Sequence, residues 1–150
     1  MSVSEDLKRG TILRAIKKCL SDSYGHFQEA MDILDEIGRG SLGASVTPLV
    51  GGYAMKDPKE IYRKALIEVD AGEKALRPLA KRFQEGIVNS SHFKDDEALI
   101  LLKDVVEYDY DILVDKLAKR RSRESVWYRL DEISKKIRRV FGQISDTSPS

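Results

Sequence analysis

Asp104, Glu107, Asp111 and Asp115 follow one another at steps of three, four and four. On a helix that spacing sets the four carboxylates within about 80° of one another. Asp109 falls off the row. Like charges four apart cost a helix roughly 0.2–0.5 kcal/mol per pair, so such a row is either neutralised by cations or put to use. Its chemical use would be to hold Mg²⁺, because hard cations take carboxylate oxygens. The enzymatic expectation is then a Mg²⁺-dependent nucleotide hydrolase. The competing expectations below require no cofactor.

Other reactive residue types lack partners at useful spacings. Glu29-x-x-Asp32, and Asp104-x-x-Glu107 in reverse, have the short acidic spacing with which all-α nucleotide pyrophosphatases hold metal. Two such spacings among 25 acids place the chain in no family. His26 and His92 have no ligand-spaced neighbour, which makes each a surface or capping histidine. Di-iron helical bundles need Glu-x-x-His pairs, and none occurs. Cys19 is the single cysteine, so no internal disulfide can form, and it reads as a small buried apolar residue. GRGSLG at 38–43 lacks the Gly-Lys-Ser/Thr ending of a phosphate-binding loop, and no strand precedes it.

The stretch LAKRRSRESVWYRLDEISKKIRR, residues 117–139, carries nine Lys and Arg and the single tryptophan. Two readings compete. In the first, Lys119, Arg120, Arg121 and Arg123 crowd a joint between helices, and Tyr128, Lys135 and Arg139 point outward on the last helix. Cations around an aromatic ring suit single-stranded RNA or DNA, by phosphate contact and base stacking. In the second, the charge answers an acidic neighbour. Residues 94–115 hold eight acids and two lysines, net −6, and residues 116–141 hold ten bases and three acids, net +7. A hairpin would lay the one against the other and fix which helix neighbours which. Trp127 falls on the flank of the last apolar seam. With Leu113 and Leu117 it is a candidate protein interface, tryptophan being enriched in such anchors.

These residues depend on helices. Leu13, Ile16, Leu20, Tyr24, Phe27, Met31 and Leu34 step by three or four, which predicts a helix over about 4–37. Ser2 and Glu5 have capping-box spacing, and SDSYG at 21–25 is a place where the helix could divide. Residues 38–56 hold five glycines and a proline, which predicts a long loop with at most a helical turn after Ser41. Leu42, Val46, Leu49 and Val50 are expected to fold over the end of the bundle. Asp57-Pro58-Lys59-Glu60 marks a helix start: an Asp cap, then proline in the first turn. Tyr62, Ala65, Val69, Gly72, Leu76, Leu79, Phe83 and Ile87 carry the next seam, with Gly72 where a neighbour can come close and a kink expected near Pro78. Leu99, Leu102, Val106, Tyr110, Leu113 and Leu117 form one stripe of a third helix over about 94–121. Ala98, Leu101, Val105, Tyr108 and Ile112 form a second. Val126, Leu130, Ile133, Ile137, Val140 and Ile144 form a heptad seam over about 124–144.

The fold expected is all-α. Four helices, or five if the first divides, make a mainly antiparallel bundle with a long glycine-rich crossover after the first. Residues 1–144 form one domain, and the polar tail 145–150 is expected to be disordered. With 150 residues and 41% hydrophobic content, such a chain needs no disulfide or metal staple. A formal net charge of +1 gives no global pull toward nucleic acid or anionic lipid. MSVSEDLKRG has acids where a secretory signal needs bases. The longest apolar run, ALILL at 98–102, cannot span a bilayer. These features lead to an expected cytoplasmic, non-enzymatic interaction module. Its expected partner is a second copy in a homodimer, or another protein, with no membrane involved. Nucleic-acid binding is the alternative.

Overall fold

The computed structural model describes residues 3–46 and 57–145, with the side chains of 3–4 and 38–46 left aside. Among the described residues it is all-α, with five α-helices and no strand. These are α1 (Val3–Val46), α2 (Pro58–Gln84), α3 (Asp96–Glu107), α4 (Tyr110–Ala118) and α5 (Arg123–Gly142), with a 3-10 turn at Ser90–His92. No helix among the described residues is long and apolar enough to cross a membrane.

The first helix differs from expectation in two ways. It runs unbroken through residues 21–25, and it continues through residues 38–46 instead of ending at Ile37. Glycine costs a helix about 1 kcal/mol per residue, but a helix already formed extends one hydrogen bond at a time without a new nucleus. Arg39, Leu42 and Ala44 between the glycines are good helix formers. The rest of the expected loop, 47–56, lies outside the described residues. So do the Ser2 cap, the covering role of Leu42, Val46, Leu49 and Val50, and the tail beyond Ser145.

The start of α2 is as its sequence dictates. Asp57 accepts a hydrogen bond from Lys59 N at 3.0 Å, and Pro58 takes the first helical position. Its neighbour α1 runs in the opposite direction. Cys19 lies by Leu79 and Arg82, while His26 Nδ1 lies 3.2 Å from Glu68 Oε1. Next to His26, the ring of Phe27 rests on the bare backbone of Gly72. A Cβ built there would lie 2.4 Å from Phe27 Cε1.

The expected third helix is two helices. Val105 and Tyr110 are both buried but five residues apart, a step that one continuous helix cannot keep on one face. The chain re-phases by breaking. Tyr108 is extended at ψ 142°, and Asp109 caps the new helix by accepting from Asp111 N at 3.2 Å. Ala98, Leu102 and Val105 face the core from α3, and Tyr110, Leu113 and Leu117 face it from α4. Tyr110 secures the break. Its hydroxyl donates to Val105 O at 2.6 Å, and its ring stacks on Phe27 at 5.4 Å and 13°.

Helix α5 lies along α1, α3 and α4. Its far end is tied to the segment before α3, where Lys94 N donates to Gln143 O at 2.7 Å and Ser145 N to His92 O at 2.9 Å. All five helices contribute to one buried apolar cluster.

The Phe27–Gly72 contact separates two glycine substitutions that propensity alone would rank together. Gly72→Ala gains about 1 kcal/mol of helix propensity but meets the ring, and overpacking costs typically about 1–3 kcal/mol. Gly25, mid-helix and exposed, has nothing within 4 Å of its built Cβ. Thermal unfolding should show a lower Tm for Gly72→Ala and a Tm raised by about 2–4 °C for Gly25→Ala. Equal gains in both would show that the ring does not sit on Gly72.

Candidate functional site

The break at Tyr108 also divides the carboxylate row. Asp104 and Glu107 stay on α3 while Asp111 and Asp115 move to α4. Two of the four have cationic partners: Asp104 Oδ2 lies 3.3 Å from Lys136 Nζ, and Asp115 Oδ2 lies 3.1 Å from Lys119 Nζ. Asp111 lines a small cleft of about 150 Å³ with Glu73, Arg77 and Tyr108, where Arg77 Nη2 is 2.9 Å from Glu73 Oε1. Glu107 is exposed. Among the described residues no three His, Cys, Asp or Glu are grouped to hold a metal ion.

Each histidine has a partner within the fold, His26 at Glu68 and His92 at Asn89. His92 is buried and closes a reciprocal cap, its Nδ1 accepting from Asn89 N at 3.2 Å. Burial holds its pKa below the usual imidazole value, and the Arg9 guanidinium, bound to Ser91 O at 2.8 Å, pushes the same way. Cys19 is half-buried, and burial pushes its thiol pKa up, the opposite of an activated nucleophile.

The basic stretch is largely matched by carboxylates. Arg139 Nη2 reaches Glu97 Oε1 at 2.9 Å, and Lys136 joins Asp104 across the same pair of helices. Lys135 pairs with Asp131 at 2.9 Å, and Arg123 lies 3.7 Å from Glu124. The acidic α3 therefore lies beside the basic α5, antiparallel, with 97 opposite 139 and 104 opposite 136. Of the nucleic-acid candidates, Arg120 and Arg121 make no ion pair among the described residues. They sit in the turn before α5, where Arg120 and Ser122 both take left-handed backbone, at φ 55° and 57°. Tyr128 is 66% exposed, and its ring meets that of Trp127 edge-on at 5.4 Å.

The interface candidates separate. Leu113 and Leu117 are 0% and 1% exposed, so the chain's own core takes up both side chains. Trp127 is half-buried against that core. Among the described residues, its Nε1 and the Oγ of Ser134, one heptad on, are buried without a hydrogen-bond partner.

A concave, largely apolar surface lies elsewhere, between α1 and α5. A groove of about 480 Å³ is lined by Leu20, Ser21 and Tyr24 from one helix and Ile137, Arg138 and Phe141 from the other. Leu20 and Ile137 are fully buried and form its floor, while Phe141 is 43% exposed. Sequence reasoning assigned Tyr24 to the seam and passed over Phe141 and Arg138. The available signal was Phe141 itself, an aromatic just after Val140 that steps off the heptad seam. Compared with protein-family models, curated proteins and solved structures, the chain matches none.

The unpartnered Ser134 hydroxyl gives a stability test beside the groove. A buried polar group without a partner costs about 1–3 kcal/mol, and alanine is the better helix former. Ser134→Ala should raise stability in chemical denaturation by roughly 0.5–2 kcal/mol. A loss of stability would mean that the hydroxyl has a partner.

Proposed function

We propose that this chain is a non-enzymatic helical-bundle interaction module whose working surface is the groove between α1 and α5. The observation that carries this reading is the exposed Phe141, standing with Tyr24 over a floor of Leu20 and Ile137. A large aromatic left open beside a concave apolar floor is a liability for a molecule with no use for it. Concave, mostly apolar clefts with a few polar groups are the usual form of binding sites. Removal of the partly exposed ring should cost the fold little and the site much. An apolar anionic dye such as anilinonaphthalene sulfonate should bind saturably at one site per chain. Phe141→Asp should abolish that signal, and Ile100→Asp, at an exposed apolar position on α3, should leave it intact. Equal dye binding by the two variants would remove the groove from its role.

A second reading, nucleic-acid binding, keeps one observation in its favour. Among the described residues Arg120 and Arg121 make no ion pair, and they sit in a turn with two left-handed non-glycine residues; backbone strain of that kind collects at functional sites. Single-stranded RNA titrated against Trp127 fluorescence should then give a saturable change that weakens steeply with salt and is lost in Arg121→Glu. No change at low salt would retire this reading.

A further inference from the structure

The charge around the α1–α5 groove is one-sided. Arg138 lines the groove and also a shallow depression beside it, shared with Lys135 and Arg139. Lys135 is engaged by Asp131 and Arg139 by Glu97. Among the described residues Arg138 makes no ion pair. On the opposite lip, Lys17 lies three and four residues before Leu20 and Ser21, which places it on the same face of α1. It too makes no ion pair among the described residues. No acid is among the residues that line the groove. Elsewhere on α5 cations are matched by carboxylates, so an unmatched pair flanking the apolar opening sets this surface apart.

Building on the reading of this groove as the working surface, we propose that its occupant is an acidic amphipathic helix from a partner protein. Apolar side chains at positions i, i+3 or i+4, and i+7 would lie along the seam between Tyr24 and Phe141, as helix-in-groove recognition requires. Glutamates or aspartates on the edges of that helix would meet Lys17 on one side and Arg138 on the other. The place agrees, because the lining at 20–24 and 137–142 lies between two long helices and spans a little over one turn of each, room for the central apolar side chains of such a helix. A second copy of the chain fits less well. A two-fold contact through this groove pairs the same patch with itself, bringing Lys17 and Arg138 against their own symmetry mates. A single strand of nucleic acid would satisfy the cations but leave the apolar floor without a matching row of side chains.

Two synthetic peptides with the same leucine stripe, one with glutamate on the polar face and one with lysine, make the test. Each is labelled and titrated with the full chain by fluorescence anisotropy. The glutamate peptide should bind saturably, roughly tenfold or more tighter than the lysine peptide, with affinity that falls as salt rises. Arg138→Glu should reverse the preference, and Phe141→Asp should remove binding of both. Both variants are at exposed positions, and an unchanged near-ultraviolet circular dichroism spectrum would establish that they fold. Equal binding of the two peptides, or a preference that Arg138→Glu leaves alone, overturns the proposal. So does a dimer in sedimentation that Phe141→Asp dissolves, because the groove would then belong to a second copy. If the anionic dye binds and neither peptide does, the groove stands as a site and the acidic helix falls. If neither dye nor peptide binds, both fall.

Discussion

The ring of Phe27 governs how three helices meet. One face of it lies on Gly72 in α2, and it stacks with Tyr110 at the start of α4. Any side chain at position 72 would push α1 and α2 apart. Tyr110 in turn can reach the ring only if the chain breaks after Glu107, because a continuous helix from Val105 would carry residue 110 off the core face. Burial pushes the Tyr110 phenol pKa well above its ordinary value, and its hydroxyl donates to Val105 O, the residue at which the re-phasing is needed. One aromatic contact thus fixes a close helix pair, a helix break and the placement of α4 on α2.

Two ion pairs then tie α3 to α5 beside that core. The pairs Glu97–Arg139 and Asp104–Lys136 bridge α3 and α5. Each exposed pair contributes under about 1 kcal/mol, too little to hold a fold together, but a register shift between the two helices would lose both at once. Net charge hides this arrangement. A chain of formal charge +1 contains an acidic segment and a basic one joined by these two pairs, while other cations of α5 pair with carboxylates of their own helix. The charges that remain unmatched therefore carry more information than the total.

Much of this was legible in the residues, and the reasons for the exceptions are physical. The seams of α1, α2 and α5 follow from three-four stepping, since the helices bury one face over 13–34, 61–79 and 126–140. The Asp57-Pro58 start follows from local chemistry that no tertiary contact has to override. The close approach at Gly72 was legible as a small residue on a seam, though Phe27 as its occupant was not. The break at Tyr108–Asp109 was half visible. Two apolar stripes on one helix signal a change of phase, and Asp109 off the acidic row is a cap in waiting. Reading the stripes as one wide face joined what the five-residue step from Val105 to Tyr110 separates. The continuation of α1 past Gly38 runs against propensity, and propensity is a weak guide where a helix is already nucleated. The groove was the least legible feature. It arises from the relative placement of Tyr24 and Phe141, 117 positions apart in the chain, and no pattern within either helix encodes it.

The position of the groove follows from the same constraints. Helix α1 contacts α2 on one side and α5 on the other, while the short α3 and α4 pack against α2 and α5. The seam between α1 and α5 is covered from within by Leu20 and Ile137 and left open from without. Phe141 lies at that outer edge, beyond the reach of the acidic helix that neutralises Arg139 and Lys136 on the other side of α5. Arg138 is one residue, about 100° of helix, away from Arg139, and that rotation separates a cation engaged by Glu97 from one turned toward open apolar surface. The charge pairing between α3 and α5 thus stops where the groove begins, which leaves this surface both apolar and cationic.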